Sequence, residues 1–556
     1  MEIKTLSSML SVSAQITLAD LSQLAEAGFK SIICNRPDGE SADQLGYKEI
    51  EAAASHAGFQ CRYLPAESGK VTDAQGLAFG QLMDELPKPI LAYCRTGMRS
   101  TTLWALSQAA VHTPFAHIVE SATKAGYDLK AMQRRLLNGG KTPVEVAEAS
   151  HEVVIIGGGA AGIAVASSLL ARSPDLDIAI IDPADTHYYQ PGWTMVGAGI
   201  FDAAFTARAQ AAVMPRGVHW IKAGVAAFEP EKNAVILEGC RVVSYKQLVV
   251  CPGLKLDWQG IAGLPETLGR NGVTSNYRYD LAPYTWQLVQ QLRGGRAFFT
   301  QPPMPIKCAG APQKAMYLSA DHWRRQGVLK NIDIQFCNAG AVLFGVADYV
   351  PALMEYVKAY GIQLNFGRTL VAIDGGAKQA TFSQLKADGS KEMVTQDFDM
   401  IHVVPPQKAP DFIRVSPLAD AAGWVDVDAA TLRHKIYANI FALGDAGNTS
   451  NAKTAAAARK QAPVVAHNLL ALRGAVKGQA QYDGYGSCPL TVERGKIVLA
   501  EFTYGGKVAP SFPKWLIDGT QPSSLAWHLK ERILPPLYWH AMLKGKEWMA
   551  KPELVG

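Results

Sequence analysis

Three stretches of this 556-residue sequence carry residue types and spacings that can do chemistry. The first, "VVIIGGGAAGIAVASSLL", sets an apolar strand, Gly157-x-Gly159-x-x-Gly162 and a helix in succession. Such glycines permit a tight turn and let a pyrophosphate approach the helix N-terminus, where free N–H groups and the dipole favour an anion. About twenty residues on, "DIAIID" ends a second strand at Asp182, placed to bind a ribose hydroxyl. The second stretch, "ILAYCRTGMRSTTLWALSQA", reads as strand, tight loop and helix, with Cys94 at the strand end. Backbone N–H groups of such a loop converge on Cys94, and the helix behind it stabilises a thiolate. Arg99 closes the ring and Arg95 adds positive charge. The third, "FFTQPPMPIKCAGAPQKAMYLSA", reads as apolar strand, Pro-rich turn and helix, with Cys308 in the turn. In an enzyme with two nucleotide sites, a second glycine loop would stand there to hold NAD(P)H. Here a thiol takes its place.

A distant segment points the first site towards FAD. "NIFALGDAG" runs a strand into Gly444-Asp445, where Asp445 would bind a ribityl chain and the next helix N-terminus would face a flavin. "YKQLVVCPG", ending at Gly253, supplies the crossover strand beneath the same cofactor. Lys453 in "KTAAAA" and Gln461 in "ARKQAP" are expected on the helix after Gly-Asp, approaching the flavin.

These sites need elements to hold them, and the chain divides accordingly. Residues 1–112 alternate strand and helix, as in "KSIICNRP", "YKEIEAAASHAG" and "KPILAYC", which argues for a small α/β layer domain. Residues 113–150 read as a helix and a linker, because Asn-Gly-Gly and Thr-Pro in "LLNGGKTPVEVAEAS" end one element before a new strand begins. Residues 151–295 and 411–504 form the expected FAD-binding unit. Residues 296–410, with strands "AFFT", "IDIQFCN" and "MIHVVPP", form a second Rossmann-like unit that carries Cys308. From residue 505 to 556 the character changes to Trp515, Trp527, Trp539 and Trp548 among Leu and Lys. The fold class is therefore α/β: a small N-terminal domain, two Rossmann-like nucleotide-binding units and a C-terminal amphipathic helical region.

Composition excludes several classes. A net charge of +5 over this length, with no basic block, gives no nucleic-acid footprint. The eight cysteines include no C-x-x-C pair, so neither a zinc site nor a secreted disulfide framework is expected, and no metal is assigned. No signal-peptide pattern and no run of eighteen apolar residues is seen. The expectation is a cytoplasmic protein, associated peripherally with the inner membrane.

"HYYQPGWTMVGAG", "PIKCAGAPQKAMYLS", "SPLADAAGWVDVD", "KTAAAARKQAP" and "YDGYGSCPL" together resemble the sulfide:quinone oxidoreductase family, in its mitochondrial-like branch, over roughly residues 151–545. The resemblance implies electrons passing from sulfide through cysteine and FAD to a quinone, with Cys308 facing the flavin where a nicotinamide would otherwise lie. It implies non-covalent FAD, since "DTHYYQPGW" holds no cysteine. It also exposes a departure. The family's second redox cysteine follows the Gly-Asp pair, and position 446 here is alanine. Cys251 and Cys337 are the substitutes considered, although both sit on apolar strands and read first as core.

The N-terminal part, through "SVSAQITLADLSQLAEAGFKSIICNRPDGE" and the Cys94 loop, is similar to a phosphatase-like family joined to sulfur-metabolism proteins. Its Cys-x4-Arg loop is one residue shorter than the Cys-x5-Arg of tyrosine phosphatases. A smaller ring favours a persulfide sulfur over a tetrahedral phosphate, giving a rhodanese-like sulfurtransferase reading beside the phosphatase and non-catalytic ones. No obvious general-acid Asp presents itself for phosphatase chemistry, though Glu67 and Asp73 lie in a plausible loop.

The expectation is thus a flavoenzyme oxidising sulfide or a low-molecular-weight persulfide at Cys308, with a membrane quinone as acceptor. Sulfane sulfur is exchanged with Cys94. The C-terminal amphipathic pieces, broken at Pro535-Pro536, are expected in a bilayer interface; packing on the body or a homodimer contact is their other use. Phe502 and Tyr504 are further candidates for the quinone wall. An NAD(P)H-dependent persulfide reductase and a sulfur sensor that does not turn over are the competing functions.

Overall fold

The computed structural model describes residues 1–144 and 149–555, so residues 145–148 of the expected linker lie outside the described residues. The chain separates into two compact units. One comprises residues 1–149 with 225–243 and 415–417, and the other comprises 150–224, 244–414 and 418–556.

The first unit is built on β1 (Ile3–Ser7), β2 (Leu10–Ser13), β3 (Ser31–Cys34), β4 (Gln60–Tyr63) and β5 (Ile90–Tyr93), in the order β1-β2-β5-β3-β4. The "SIIC" and "ILAY" strands are buried at every residue. Parallel interior strands, covered on both faces, require such continuous apolar runs. After β5 the chain turns through Gly97, whose φ of 88° lies in the left-handed region, and enters α1 (Met98–Ala110). A Cβ at Gly97 would lie 1.9 Å from the Tyr127 hydroxyl, so only glycine fits this corner.

The second unit opens with β6 (Ala149–Ile156), α2 (Ala160–Arg172), β7 (Ile178–Ile181), β8 (Val218–Ile221) and β9 (Val242–Val250), arranged β8-β7-β6-β9. A second sheet follows, from β10 (Val273–Thr274), β11 (Gly295–Gln301), β12 (Ile332–Asn338), β13 (Gln363–Phe366) and β14 (Met400–His402), in the order β10-β14-β11-β12-β13. All of its pairings are parallel. Helix α3 (Ala311–Arg325) crosses from β11 to β12 and is buried at most of its length. The chain then returns through β15 (Ile440–Ala442), parallel to β9, into α4 (Ala455–Leu472).

Two features differ from the sequence reading. The second sheet recruits β10, from before residue 296. The hairpin β16 (Gly486–Glu493) and β17 (Lys496–Phe502) packs on α3, its Leu490 and Val492 sharing a core with Met316 and Trp323. The C-terminal segment forms the expected helical region, and part of it packs into the core of the second unit. Trp527 and Trp539 are 5% and 3% exposed, whereas Trp515 and Trp548 are 85% and 61% exposed. Pro535 and Pro536 do not break a helix: Ser524–His528 continues through a π-helical stretch, Leu529–Ile533, into α5 (Leu534–His540), and the wider turns accommodate the two missing N–H groups. Among the described residues, no helix is long and apolar enough to cross a membrane.

Candidate functional site

A cavity of about 560 Å³ opens in the second unit. One end of it is the turn between β6 and α2. A Cβ at Gly162 would lie 1.8 Å from the Gly157 carbonyl oxygen, and one at Gly157 would lie 2.6 Å from that of Cys251. These two glycines therefore bring helix and strand together. Gly159 caps α2 and faces open space, with nothing within 4 Å of a Cβ placed there. Asp182 lines the cavity and accepts hydrogen bonds from the Gly158 and Ala184 N–H groups at 2.6 and 2.7 Å. Gly253, Gly444 and Asp445 line the same cavity. Burial raises the Asp445 carboxyl above its ordinary pKa, against the opposing pull of Lys453 and Lys307.

The donor set fits a flavin dinucleotide. Trp193 Nε1, Thr194 Oγ1 and both amide atoms of Asn276 are buried without a partner among the described residues, and all three residues line the cavity. Buried polar atoms of this kind call for a bound polar group.

Two of the expected flavin contacts sit differently. Lys453 precedes α4 rather than lying on it, because Thr454 is the cap. Its ammonium donates to the Asp445 and Gly447 carbonyls at 2.8 and 2.7 Å, and burial lowers its pKa to about 8. Gln461 is buried beneath the Gly-Asp turn, where its Oε1 accepts the Gly444 N–H at 2.8 Å. It shapes the turn. Phe502 packs against Phe344, and the Tyr504 hydroxyl donates to the Ala429 carbonyl, so both serve packing.

Further along the cavity wall is Cys308, in a left-handed conformation with φ of 48° just before α3. A non-glycine residue held there stores strain, which surrounding contacts must compensate. They do: the Cys308 N–H donates to the Lys453 carbonyl at 2.8 Å, and the Tyr277 hydroxyl donates to the Lys307 carbonyl at 3.0 Å.

The Cys308 sulfur has two neighbours that the sequence reading did not assign to it. Cys488 Sγ, from β16, lies 3.7 Å away, and Lys314 Nζ, one turn into α3, lies 3.1 Å away. Gly310 makes the first contact possible, since a Cβ there would sit 2.4 Å from the Cys488 sulfur. The two thiols are driven in opposite directions. The hydrogen bond from Cys488, reinforced by Lys314, holds Cys308 well below the usual thiol pKa, whereas burial opposes ionisation. The hydrogen bond to Cys308, together with burial, pushes Cys488 well above it. Lys530, from the C-terminal segment, also lines the cavity. Burial first and the Lys314 charge second bring its ammonium down to about 7.

The sulfur nearest Cys308 thus comes from β16 and not from the segment around Ala446. Neither Cys251 nor Cys337 supplies the second thiol. Cys337 is fully buried, and burial pushes it up to about 12. Cys251 packs its sulfur against the Gly157 carbonyl, and burial pushes its pKa up as well.

In the first unit, the Gly97 N–H donates to Cys94 Sγ at 3.1 Å. Arg99 is buried and its guanidinium is already engaged, with Glu40 Oε2 and the Ala66 carbonyl each at 2.8 Å. Glu40 also binds Arg36 at 2.8 Å. Arg95 is exposed. Asp73 is tied to Arg135 and Thr142 at the start of its helix, and Glu67 pairs with Lys70 at the surface.

Comparison with known proteins divides the chain in the same way. Residues 2–111 match the family described as "Beta-lactamase hydrolase-like protein, phosphatase-like domain", and residues 151–283 match "Pyridine nucleotide-disulphide oxidoreductase". "Sulfide:quinone oxidoreductase, mitochondrial" of Dictyostelium discoideum is 42% identical over 406 residues, covering 72% of this chain and 88% of its own length. "Beta-lactamase hydrolase-like protein" of Agrobacterium fabrum is 37% identical over 128 residues, 23% of this chain and 30% of its own. The solved sulfide:quinone oxidoreductase from Aquifex aeolicus superposes with a TM-score of 0.59 at 18% identity, covering 71% of this chain and 92% of that one. That likeness speaks for the fold.

Proposed function

The chain belongs to the sulfide:quinone oxidoreductase family, and on that premise we propose that it oxidises sulfide at a Cys308–Cys488 pair and delivers the electrons through non-covalent FAD to a quinone. One observation carries this reading: two sulfurs lie 3.7 Å apart beside a buried lysine, and one of them, Cys308, stands in the wall of a cavity that ends at a dinucleotide cradle.

The chemistry follows from the unequal thiols. From the disulfide state, hydrosulfide attacks the Cys488 sulfur, the S–S bond breaks, and Cys308 departs with the electron pair. That direction is favoured because the lower-pKa thiol is the better leaving group, and Lys314 stabilises it as a thiolate. Cys488 is left as a persulfide. A thiolate acceptor then takes the outer sulfur, and Cys488 keeps the electrons of the broken bond. Gly158, Gly159 and Asp445 line the cavity and would hold FAD, which when bound would supply the two-electron acceptor needed to re-form the disulfide. Tyr277 and Lys453 hold the Cys308 turn in place through its backbone.

Cys94 exchanges sulfane sulfur in this reading, as a second thiolate-stabilising loop in the same chain. Trp515, Leu516, Ile533 and Trp548, exposed among Lys514, Arg532 and Lys546, make peripheral contact with the membrane that holds the quinone.

The test is an anaerobic titration of the purified holoprotein with sulfide, followed by decylubiquinone. Flavin absorbance should bleach with sulfide and return with quinone. A flavin that bleaches with NADH and not with sulfide overturns the reading in favour of a pyridine-nucleotide reductase. A flavin reduced by sulfide that quinone fails to reoxidise would point to a sensor.

A further inference from the structure

The second unit holds a group of potential ligands that the redox chemistry does not use. His151 on β6, Asp177 immediately before β7 and His219 on β8 offer one ligand atom each, all within 4.8 Å of one another. His151 Nδ1 lies 2.9 Å from Asp177 Oδ1, and His219 Nε2 lies 3.8 Å from the same oxygen. The two imidazoles face each other with ring centroids 5.2 Å apart.

Three facts set this group apart from a surface ion pair. Its members come from three adjacent strands of one sheet, in the order β8-β7-β6, so the backbone fixes their spacing. The donors are two imidazole nitrogens and one carboxylate, the ligand set that suits a borderline divalent cation. Burial is graded as well: the His151 and Asp177 side chains are 14% and 38% exposed, and that of His219 is 66% exposed, so an ion has an entry path and room for water as a fourth ligand. Tetrahedral zinc with ligands at about 2.0–2.1 Å spaces them roughly 3.3 Å apart, which small side-chain rotations of this trio achieve.

We propose that His151, Asp177 and His219 form a divalent-cation site of the zinc class, pinning the N-terminal ends of β6, β7 and β8 together. It lies at the far end of the sheet from the cofactor cradle. The cradle begins at Gly157, six residues along β6 from His151, about 20 Å at the rise of a strand. The cation is therefore structural and separate from electron transfer.

Metal-stripped holoprotein titrated with Zn²⁺ should bind one ion at this trio and gain roughly 1–4 °C in Tm. X-ray absorption at the zinc edge should show nitrogen and oxygen neighbours at about 2.0–2.1 Å, without sulfur at about 2.3 Å. His219→Ala, at the most exposed member, should weaken binding by at least about tenfold and abolish the Tm gain, as each lost ligand removes a coordinate bond. Asp177→Asn, which preserves shape, should do the same and guards against a folding defect in the first variant. Zinc bound through sulfur, affinity unchanged in both variants, or no binding at all would each overturn the proposal.

Discussion

Cys308 and Cys94 both follow a buried strand and precede a helix, yet their surroundings differ in kind. Cys308 has a second sulfur 3.7 Å away and a buried ammonium at 3.1 Å, and both favour its thiolate. Cys94 has one backbone N–H at 3.1 Å and the Arg99 guanidinium, which it shares with Glu40 and the Ala66 carbonyl. The first arrangement can cycle between dithiol and disulfide. The second can hold one sulfur atom but has no thiol partner bonded to it. The lesson is that a strand–loop–helix places a thiol, and the neighbours decide whether it does redox or transfer chemistry.

The sharpest way to break this comparison is to remove one sulfur from each site. Cys488→Ser should reduce the rate of flavin reduction by sulfide by at least about 100-fold, since no disulfide can form for hydrosulfide to attack, while the flavin stays bound. Cys94→Ser should leave that single-turnover reduction intact and depress transfer of sulfane sulfur to an added thiol. Stopped-flow absorbance and a persulfide assay read the two effects. Equal losses of flavin reduction in both variants would mean that the sites act as one.

A smaller effect sharpens the electrostatic half. Lys314→Met removes the cation beside Cys308, so the thiol pKa rises. In the mildly acidic range, where the lowered thiol begins to take up its proton, the variant should be alkylated at Cys308 more slowly than the wild type. The direction of the pH profile is fixed: wild-type reactivity persists into the acidic range, and the variant's curve moves to higher pH. An unshifted profile would assign the low pKa to Cys488 alone.

Much of this was readable from the sequence where neighbours in space are also neighbours in the chain. Gly157, Gly159 and Gly162 announce the cradle because turn, helix and strand are contiguous, and the strand–turn–helix around Cys308 forms as its pattern predicts. Cys488 was not readable, since 180 residues separate it from Cys308 and only the packing of β16 on α3 across Gly310 joins them. Its motif, "YDGYGSCPL", carried the resemblance without revealing a role. Gln461 misled for a related reason: helix position says nothing about which side of a turn a side chain supports. Trp527 and Trp539 look no different in sequence from Trp515 and Trp548, and burial alone separates the pairs. His151, Asp177 and His219 have no motif spacing at all, because strand order, rather than sequence, brings them together.

The smallest expected effect tests the Cys94 side. Glu40 takes hydrogen bonds from Arg36 and Arg99, and the Arg99 bond first, with Arg36 adding to it, holds its carboxyl below the ordinary value of 4.5. Glu40→Gln keeps the shape and removes the charge. A depressed carboxylate adds stability above its unfolded pKa and loses it as pH falls through the folded value. The variant should therefore be slightly less stable at neutral pH, by at most about 1 kcal/mol because solvent screens the exposed carboxylate. The gap should close as the pH drops below 4.5. Meanwhile the guanidinium of Arg99, no longer neutralised, acts more fully on Cys94, so alkylation at Cys94 should rise by a few-fold while sulfide reduction of the flavin stays unchanged. A fall in Cys94 reactivity would show instead that Glu40 holds Arg99 in the only position from which it can act on that sulfur, making the carboxylate part of the loop rather than a competitor for its cation.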